Sequence, residues 1–349
     1  MRSNVRYGAM MNVLIGMIAV PLVSLSLAVG AEAMAESTNS GLSASVEQEK
    51  GMLFLLVDKS NLRADLKTWP ENPEQSELLA SFRIAIGKEE GDKQVEGDNK
   101  TPEGIYFAQE IINGKTLPAK YGPFAIPIDF PNPLDRSWGK TGYGIWLHGV
   151  ERDARVEEAK VTEGCVAFYN ADIDSLTKWL KPQHSVIIIS KEQSVVNKNE
   201  DLAKVNAATQ SWLKAWQTRD LDRYIASYAP SFRYRNMGLD RFKSYKQAVF
   251  KSYKNMNVNM SQIRVFTHDR YAVSIMNQDF NGDDRYVSKG RKILYWTRQD
   301  NGSWQISHEA FGSSRFEMQS FSRDFIAKLV RESPSSKLFS NENKDASNL

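Results

Sequence analysis

The chain has one cysteine and four histidines in 349 residues. A single thiol excludes an internal disulfide framework and the paired cysteines of a structural zinc site. The histidines, at 148, 184, 268 and 308, lack metal-ligand spacing. After residue 29 no apolar run is long enough to span a bilayer. There is no internal repeat. Nothing in the chain calls for a cofactor, a metal or a nucleic acid.

What is present begins with an export signature. Arg2 and Arg6 precede an apolar run from Val13 to Val29, broken by Gly16, Pro21, Ser24 and Ser26. The run leads to Ala33-Met34-Ala35, a small-x-small pattern that predicts cleavage after Ala35. The same run is long enough to serve as an uncleaved anchor, so any membrane contact is expected only through this segment. No cysteine stands at the cleavage site, which excludes a lipoprotein anchor. The mature chain is expected in the periplasm.

Charge divides the remainder. Residues 1–199 carry 21 basic and 26 acidic side chains, whereas residues 200–349 carry 24 and 16. Two modules are implied, the second suited to an anionic partner such as a wall component or a protein. The expected divisions are a signal at 1–35, a polar tether at 36–50, a first domain at 51–190, a linker at 191–200, a second domain at 201–312 and a C-terminal helix with a disordered tail at 313–349.

Local patterns assign a fold class to each domain. Leu53 to Val57 is an apolar run of strand type, and Phe82, Ile84 and Ile86 alternate with Arg83 and Ala85 up to Gly87. Lys88 to Lys100 reads as a charged loop. Three prolines at 118, 123 and 127, and two more at 131 and 133, forbid a long helix there. Gly144 to His148 predicts a strand with Trp146 and His148 on one face. Asn170 is placed as the N-cap of a helix reaching Leu180, and Val186 to Ile189 as a buried strand. The first domain is therefore mainly β. In the second, Leu202, Val205, Ala208, Trp212 and Ala215 follow helical spacing, and four strand-like stretches follow from Met256 onward. Helices followed by an antiparallel meander predict an α+β fold in which a curved sheet wraps the helices. A pocket under that sheet would be lined by Trp212, Trp216, Tyr228 and Trp296 and would hold His268 and His308. A closing helix is expected through Phe321, Phe325 and Leu329, with a tail from Ser333.

The lone thiol lies in Thr162-Glu163-Gly164-Cys165, 17 residues after His148-Gly149. A cysteine nucleophile needs a base, a group that orients the base, and donors for the oxyanion. Cys165 supplies the thiolate, His148 the base, and the Gly149 carbonyl the orienting acceptor. Backbone N–H groups of Gly164 and Cys165 are the expected oxyanion donors. The order, histidine first and cysteine soon after, is unlike a papain arrangement.

These residues resemble a known family. Ile145-Trp146-Leu147-His148-Gly149, then Thr162-Glu163-Gly164-Cys165-Val166, then Asn170 and Asp172, resemble the L,D-transpeptidase (YkuD) domain over about residues 51–190. Thr101-Pro102-Glu103-Gly104 looks like that family's Thr-Pro-x-Gly turn. The resemblance implies a β-sandwich catalytic domain and a cysteine that acylates on peptidoglycan stem peptides. The acyl bond would form at the L-centre of the diamino acid, with release of D-alanine and no cofactor. Residues 200–312 resemble the SnoaL-like cones. The pair of domains looks like the L,D-carboxypeptidases that trim tetrapeptides to tripeptides and set helical cell shape. Alternatives are a transpeptidase making 3–3 crosslinks, an enzyme attaching or releasing an outer-membrane protein, and a non-catalytic wall-binding scaffold. One departure stands out: Glu163 replaces the family's usual histidine, and Ala167 its usual arginine. An anion beside the thiol opposes thiolate formation, so Arg152 and Arg155 are expected to pair with Glu163. Thr162, Glu163, Arg152, Arg155 and Tyr143 are the expected substrate-binding residues.

Overall fold

The computed structural model describes residues 49–69, 75–234, 237–315 and 319–335, all within one compact unit. The signal, its cleavage site and the tether before residue 49 lie outside the described residues. Among those described, no helix is long and apolar enough to cross a membrane.

The first domain is built on β1 (Glu49–Asp58), β2 (Arg63–Trp69), β3 (Leu78–Gly87), β4 (Gly104–Phe107), β5 (Ile112–Asn113) and β6 (Phe124–Pro127). A short α1 (Pro133–Ser137) follows, then β7 (Trp146–His148), α2 (Ala154–Glu157), β8 (Lys160–Thr162), β9 (Val166–Phe168), α3 (Asn170–Trp179) and β10 (Val186–Ser190). The strands join in the order β4-β10-β1-β2-β3-β9-β7-β6-β5, with β8 on β3. The proline-rich stretch contributes a 3-10 turn at Ala119–Tyr121, β6 and α1, the last started by Pro133 and a capping box between Asn132 and Asp135.

The apolar run of β1 is continuous because both of its faces are covered. Leu53, Leu55 and Val57 enter the core of the first domain. Met52, Phe54 and Leu56 enter a second core shared with the following domain. There Phe266 packs on Phe54 and Trp69 at ring distances of 5.6 and 4.9 Å.

The second domain comprises α4 (Asn199–Gln217), α5 (Leu221–Ala226), α6 (Leu239–Ser252) and an antiparallel meander of β11 (Met256–Thr267), β12 (Tyr271–Gly282), β13 (Tyr286–Arg298) and β14 (Trp304–Gly312). The expected helices-then-meander order is present. At the β11–β12 turn, Tyr271 reaches the first domain. Its hydroxyl accepts from Ile105 N at 2.5 Å and from Asn132 Nδ2 at 3.0 Å, and donates to the Ile105 carbonyl at 3.0 Å. Beside it Arg270 pairs with Asp92 at 2.7 Å, and Asp92 also holds Lys140.

The chain then returns to the first domain. β15 (Gln319–Phe321) pairs with the start of β1, and α7 (Arg323–Glu332) places Ile326 in the first domain's core and Phe325 against Trp179. The tail expected from Ser333 begins instead as a buried segment: the hydroxyls of Ser333 and Ser335 both donate to the Asp172 carboxylate. A buried carboxylate at the start of α3 supplies the acceptor that holds these two serines. Residues 336–349 lie outside the described residues.

Candidate active site

Parallel pairing brings the two chemical residues together. β7 and β9 are neighbours, with Leu147 opposite Val166 and His148 opposite Ala167. His148 ends β7, and Cys165 immediately precedes β9, level with Trp146 in this register. Both line one cleft of about 530 Å³, with Lys88, Lys120, Tyr121 and Arg155 around them.

The nucleophile sits on a tight turn between β8 and β9. Gly164 has φ +123°, and a Cβ there would lie 2.7 Å from the Lys100 carbonyl oxygen, so only glycine fits. The Thr162 hydroxyl closes the turn: it accepts from Gly164 N at 3.2 Å and donates to the Cys165 carbonyl at 2.7 Å. Thr162, buried in the wall of the cleft, is thus a brace for the turn. The same bond occupies the Gly164 N–H, which leaves the Cys165 N–H as the available oxyanion donor of the expected pair. The thiol itself donates to the Gly144 carbonyl at 3.5 Å and lies within reach of the Trp146 N–H.

His148 is only 6% exposed, and its Nδ1 donates to the Gly149 carbonyl. That bond leaves Nε2 as the proton acceptor. The Tyr121 ring stands edge-on to the imidazole at 5.2 Å and also packs on Trp146 at 4.8 Å, as expected for residues on one strand face. Burial lowers the imidazole to about 4 despite the Gly149 bond, with Lys120 and Arg155 pushing the same way. Burial raises the Cys165 thiol to about 11; the Trp146 N–H and Lys120 oppose this, and Glu163 adds to it. The resting pair is therefore a neutral thiol and a neutral imidazole.

The charged loop is arranged differently from expectation. Arg152 points outward, with its side chain 79% exposed and 3.8 Å from Glu151, and does not line the cleft. Arg155 does line it, but its guanidinium donates to the Val161 carbonyl at 3.2 Å. Neither forms an ion pair with Glu163 among the described residues, and Glu163 stands exposed at the cleft. The reason is local: α2 turns the 152–155 segment so that only its last residue faces the cleft. Tyr143 is 78% exposed and does not line the cleft. Lys88, Lys120, the Gly144 carbonyl and the Trp146 N–H were not singled out by spacing, because a backbone group and a surface lysine carry no sequence signal of their own.

Asn170 is the first residue of α3 and does not cap it; its Oδ1 accepts from Val150 N at 2.9 Å. Among the described residues, no three His, Cys, Asp or Glu side chains are grouped to hold a metal ion. The second domain contains a separate pocket of about 950 Å³. Of the expected lining residues only Trp216 reaches it; Trp212, Tyr228 and Trp296 are fully buried core, and His268 and His308 lie elsewhere. The pocket holds Lys246, whose ammonium lies 4.5 Å from the Trp216 ring and is lowered to about 8 by burial, and a Lys292–Glu309 pair at 2.9 Å.

Comparison with known proteins agrees with this division. Residues 55–189 match the YkuD model, an L,D-transpeptidase catalytic domain, and residues 204–310 match the Cds6 C-terminal NTF2-like domain. YafK of Escherichia coli (strain K12), whose name assigns it provisionally to the L,D-transpeptidases, is 30% identical over 172 residues, 48% of this chain and 62% of its own length. The chain thus spans less than two thirds of the curated relatives that it matches. Bd1075 of Bdellovibrio bacteriovorus superposes with a TM-score of 0.65 at 26% identity, covering 77% of this chain and 95% of that one. The helical cell shape determining protein Pgp2 of Campylobacter jejuni shares the fold, with a TM-score of 0.61 at 24% identity over 76% of this chain and 93% of its own.

Proposed function

We propose that this chain, whose residues 55–189 form a YkuD-type L,D-transpeptidase catalytic domain ahead of an NTF2-like domain, is an exported peptidoglycan enzyme that works through Cys165. The observation that carries the reading is the meeting of Cys165 and a tautomerically fixed His148 in one open cleft. The substrate is a stem tetrapeptide. His148 Nε2 takes the thiol proton as sulfur attacks the carbonyl at the L-centre of the diamino acid. The Cys165 N–H faces the oxyanion of the tetrahedral intermediate. Collapse breaks the peptide bond, and the proton on His148 passes to the leaving amine of D-alanine.

Burial holds the imidazole and the thiol in the wrong order for a resting ion pair. A bound substrate carboxylate near Lys120 and Arg155 would offset the two charges that add to the burial effect on His148.

Water is the proposed acceptor, so the product is a tripeptide. Glu163, exposed at the cleft, carries no cation partner among the described residues and is open to a polar acceptor. The same anion favours a second reading, in which an ammonium acceptor enters and a 3–3 crosslink forms. Incubating the mature protein with purified disaccharide tetrapeptides separates the two by mass. Free D-alanine with tripeptide supports trimming, and 3–3 dimers support transfer. Release of no D-alanine, or equal release by Cys165→Ala, would refute both.

A further inference from the structure

We propose that Asn170 is a positioning residue for His148, acting through the single peptide group between Gly149 and Val150. The inference rests on the reading of His148 as the base. The two ends of that peptide group have different partners. Its carbonyl, on Gly149, accepts from His148 Nδ1; its N–H, on Val150, donates to Asn170 Oδ1 at 2.9 Å. A peptide unit is planar, so fixing the direction of the N–H fixes the direction of the carbonyl on the opposite side. The Asn170 bond therefore aims the acceptor that orients the imidazole. Donation from the N–H also polarises the same unit and strengthens its carbonyl as an acceptor.

The packing is built around this contact. A Cβ on Gly149 would lie 2.4 Å from Asn170 Oδ1, and a Cβ on Gly122 would lie 2.5 Å from the same oxygen. Two separate segments thus leave out a side chain where the amide enters. The Gly149 N–H is held by the Phe124 carbonyl at 3.1 Å, and Asn170 N donates to Asp153 Oδ1 at 2.9 Å, so the loop is pinned at both ends of the 149–153 stretch. Asn170 gives up the capping role its type and place would suggest, and α3 starts with Tyr169 as an N-cap that makes no side-chain bond. Two residues on, Asp172 is held by Ser333 and Ser335, which fixes the helix end that carries Asn170.

The test compares Asn170→Ala with Asn170→Asp, which keeps an acceptor oxygen in place. Four histidines make the imidazole spectrum assignable by loss of one signal set in His148→Gln. In the unsubstituted protein, nitrogen-detected spectra should show His148 as one tautomer, protonated on Nδ1. Asn170→Ala should give mixed tautomers and a titration midpoint moved further below that of an ordinary histidine, because the Gly149 bond is what opposes burial, with kcat for D-alanine release lowered about 10–100-fold and KM within about twofold. Asn170→Asp should restore the single tautomer and most of kcat. Should Asn170→Ala fail to fold, Gly149→Ala disturbs the same contact from the other side and should shift the tautomer likewise. An unchanged tautomer and titration in Asn170→Ala, with kcat within about twofold, would overturn the proposal. If the unsubstituted protein releases no D-alanine, the enzymatic reading fails, while the tautomer measurement still decides the role of Asn170.

Discussion

Cys165 Sγ donates to the Gly144 carbonyl at 3.5 Å, so in the free protein the thiol proton is engaged by backbone while the base stands by. With burial holding this thiol near 11, little thiolate exists at neutral pH. Alkylation by iodoacetamide should therefore be slow at pH 7 and rise about tenfold per pH unit up to about pH 10. Glu163 is one of the groups that raise this thiol, so Glu163→Gln should speed labelling at pH 8 by a few-fold. Equal rates for the two proteins would show that the carboxylate does not act on the sulfur.

Removing the base should be nearly as damaging as removing the nucleophile. His148→Gln keeps a polar group of similar size on β7 but supplies no proton acceptor at Nε2. Turnover of tetrapeptide should fall by about 10²–10⁴-fold, with the thermal midpoint close to that of the unsubstituted protein. A variant that retains a tenth of the activity would assign the proton transfer to another group.

The parts of this site that could be read from the sequence were those where one residue type does one job. A single cysteine near a histidine, separated by a glycine-bearing turn, left few alternatives, and the β-then-α+β order followed from periodicity. The parts that could not be read depend on distance in the chain. Asp172 and Ser335 are 163 positions apart, and serines near a polar C-terminus look like solvated tail. Arg155 and Arg152 are both near the thiol in sequence, and only the turn at α2 decides which faces the cleft. Asn170 has the composition of a cap, and its bond to Val150 exists only because two glycines elsewhere make room.

Tyr271 joins the domains through one hydroxyl with three partners. Tyr271→Phe keeps the ring against Trp138, 5.8 Å away, but leaves the Ile105 backbone and Asn132 without that oxygen in a buried place. The expected loss is about 2–4 kcal/mol in the denaturant midpoint analysis. Hydrogen exchange should rise at β4 and at the β11–β12 turn together. A loss under about 0.5 kcal/mol would mean that water replaces the hydroxyl.

Ile326, 3% exposed, tests which domain the C-terminal helix belongs to. It follows the NTF2-like domain in the chain yet packs in the core around β3. Ile326→Ala should cost about 2–4 kcal/mol. The accompanying increase in hydrogen exchange should fall on β3 and α3 and spare β11 to β14. Protection lost in the meander instead would place the helix with the second domain.

Asp172 gives a pH dependence whose sign is set by its environment. Burial is the main cause of its rise from 3.8 to about 6, and the hydroxyls of Ser333 and Ser335 pull the other way without reversing it. A carboxyl with a raised folded pKa binds its proton more tightly in the native state than in the unfolded one. Folding is then unpenalised below about pH 4, and the penalty grows as pH rises through the interval up to about 6 and is constant above it. A shift of about two units corresponds to roughly 3 kcal/mol. Asp172→Asn removes the titration and keeps an oxygen for one serine. The difference in thermal midpoint, Asp172→Asn minus unsubstituted, should therefore climb between pH 4 and 6 and level off by pH 7. Taking the difference cancels the other titrating groups, including Asp129, which burial raises to about 7. A difference that is flat across that interval, or that falls, would show that the two serines stabilise the carboxylate by more than burial opposes it.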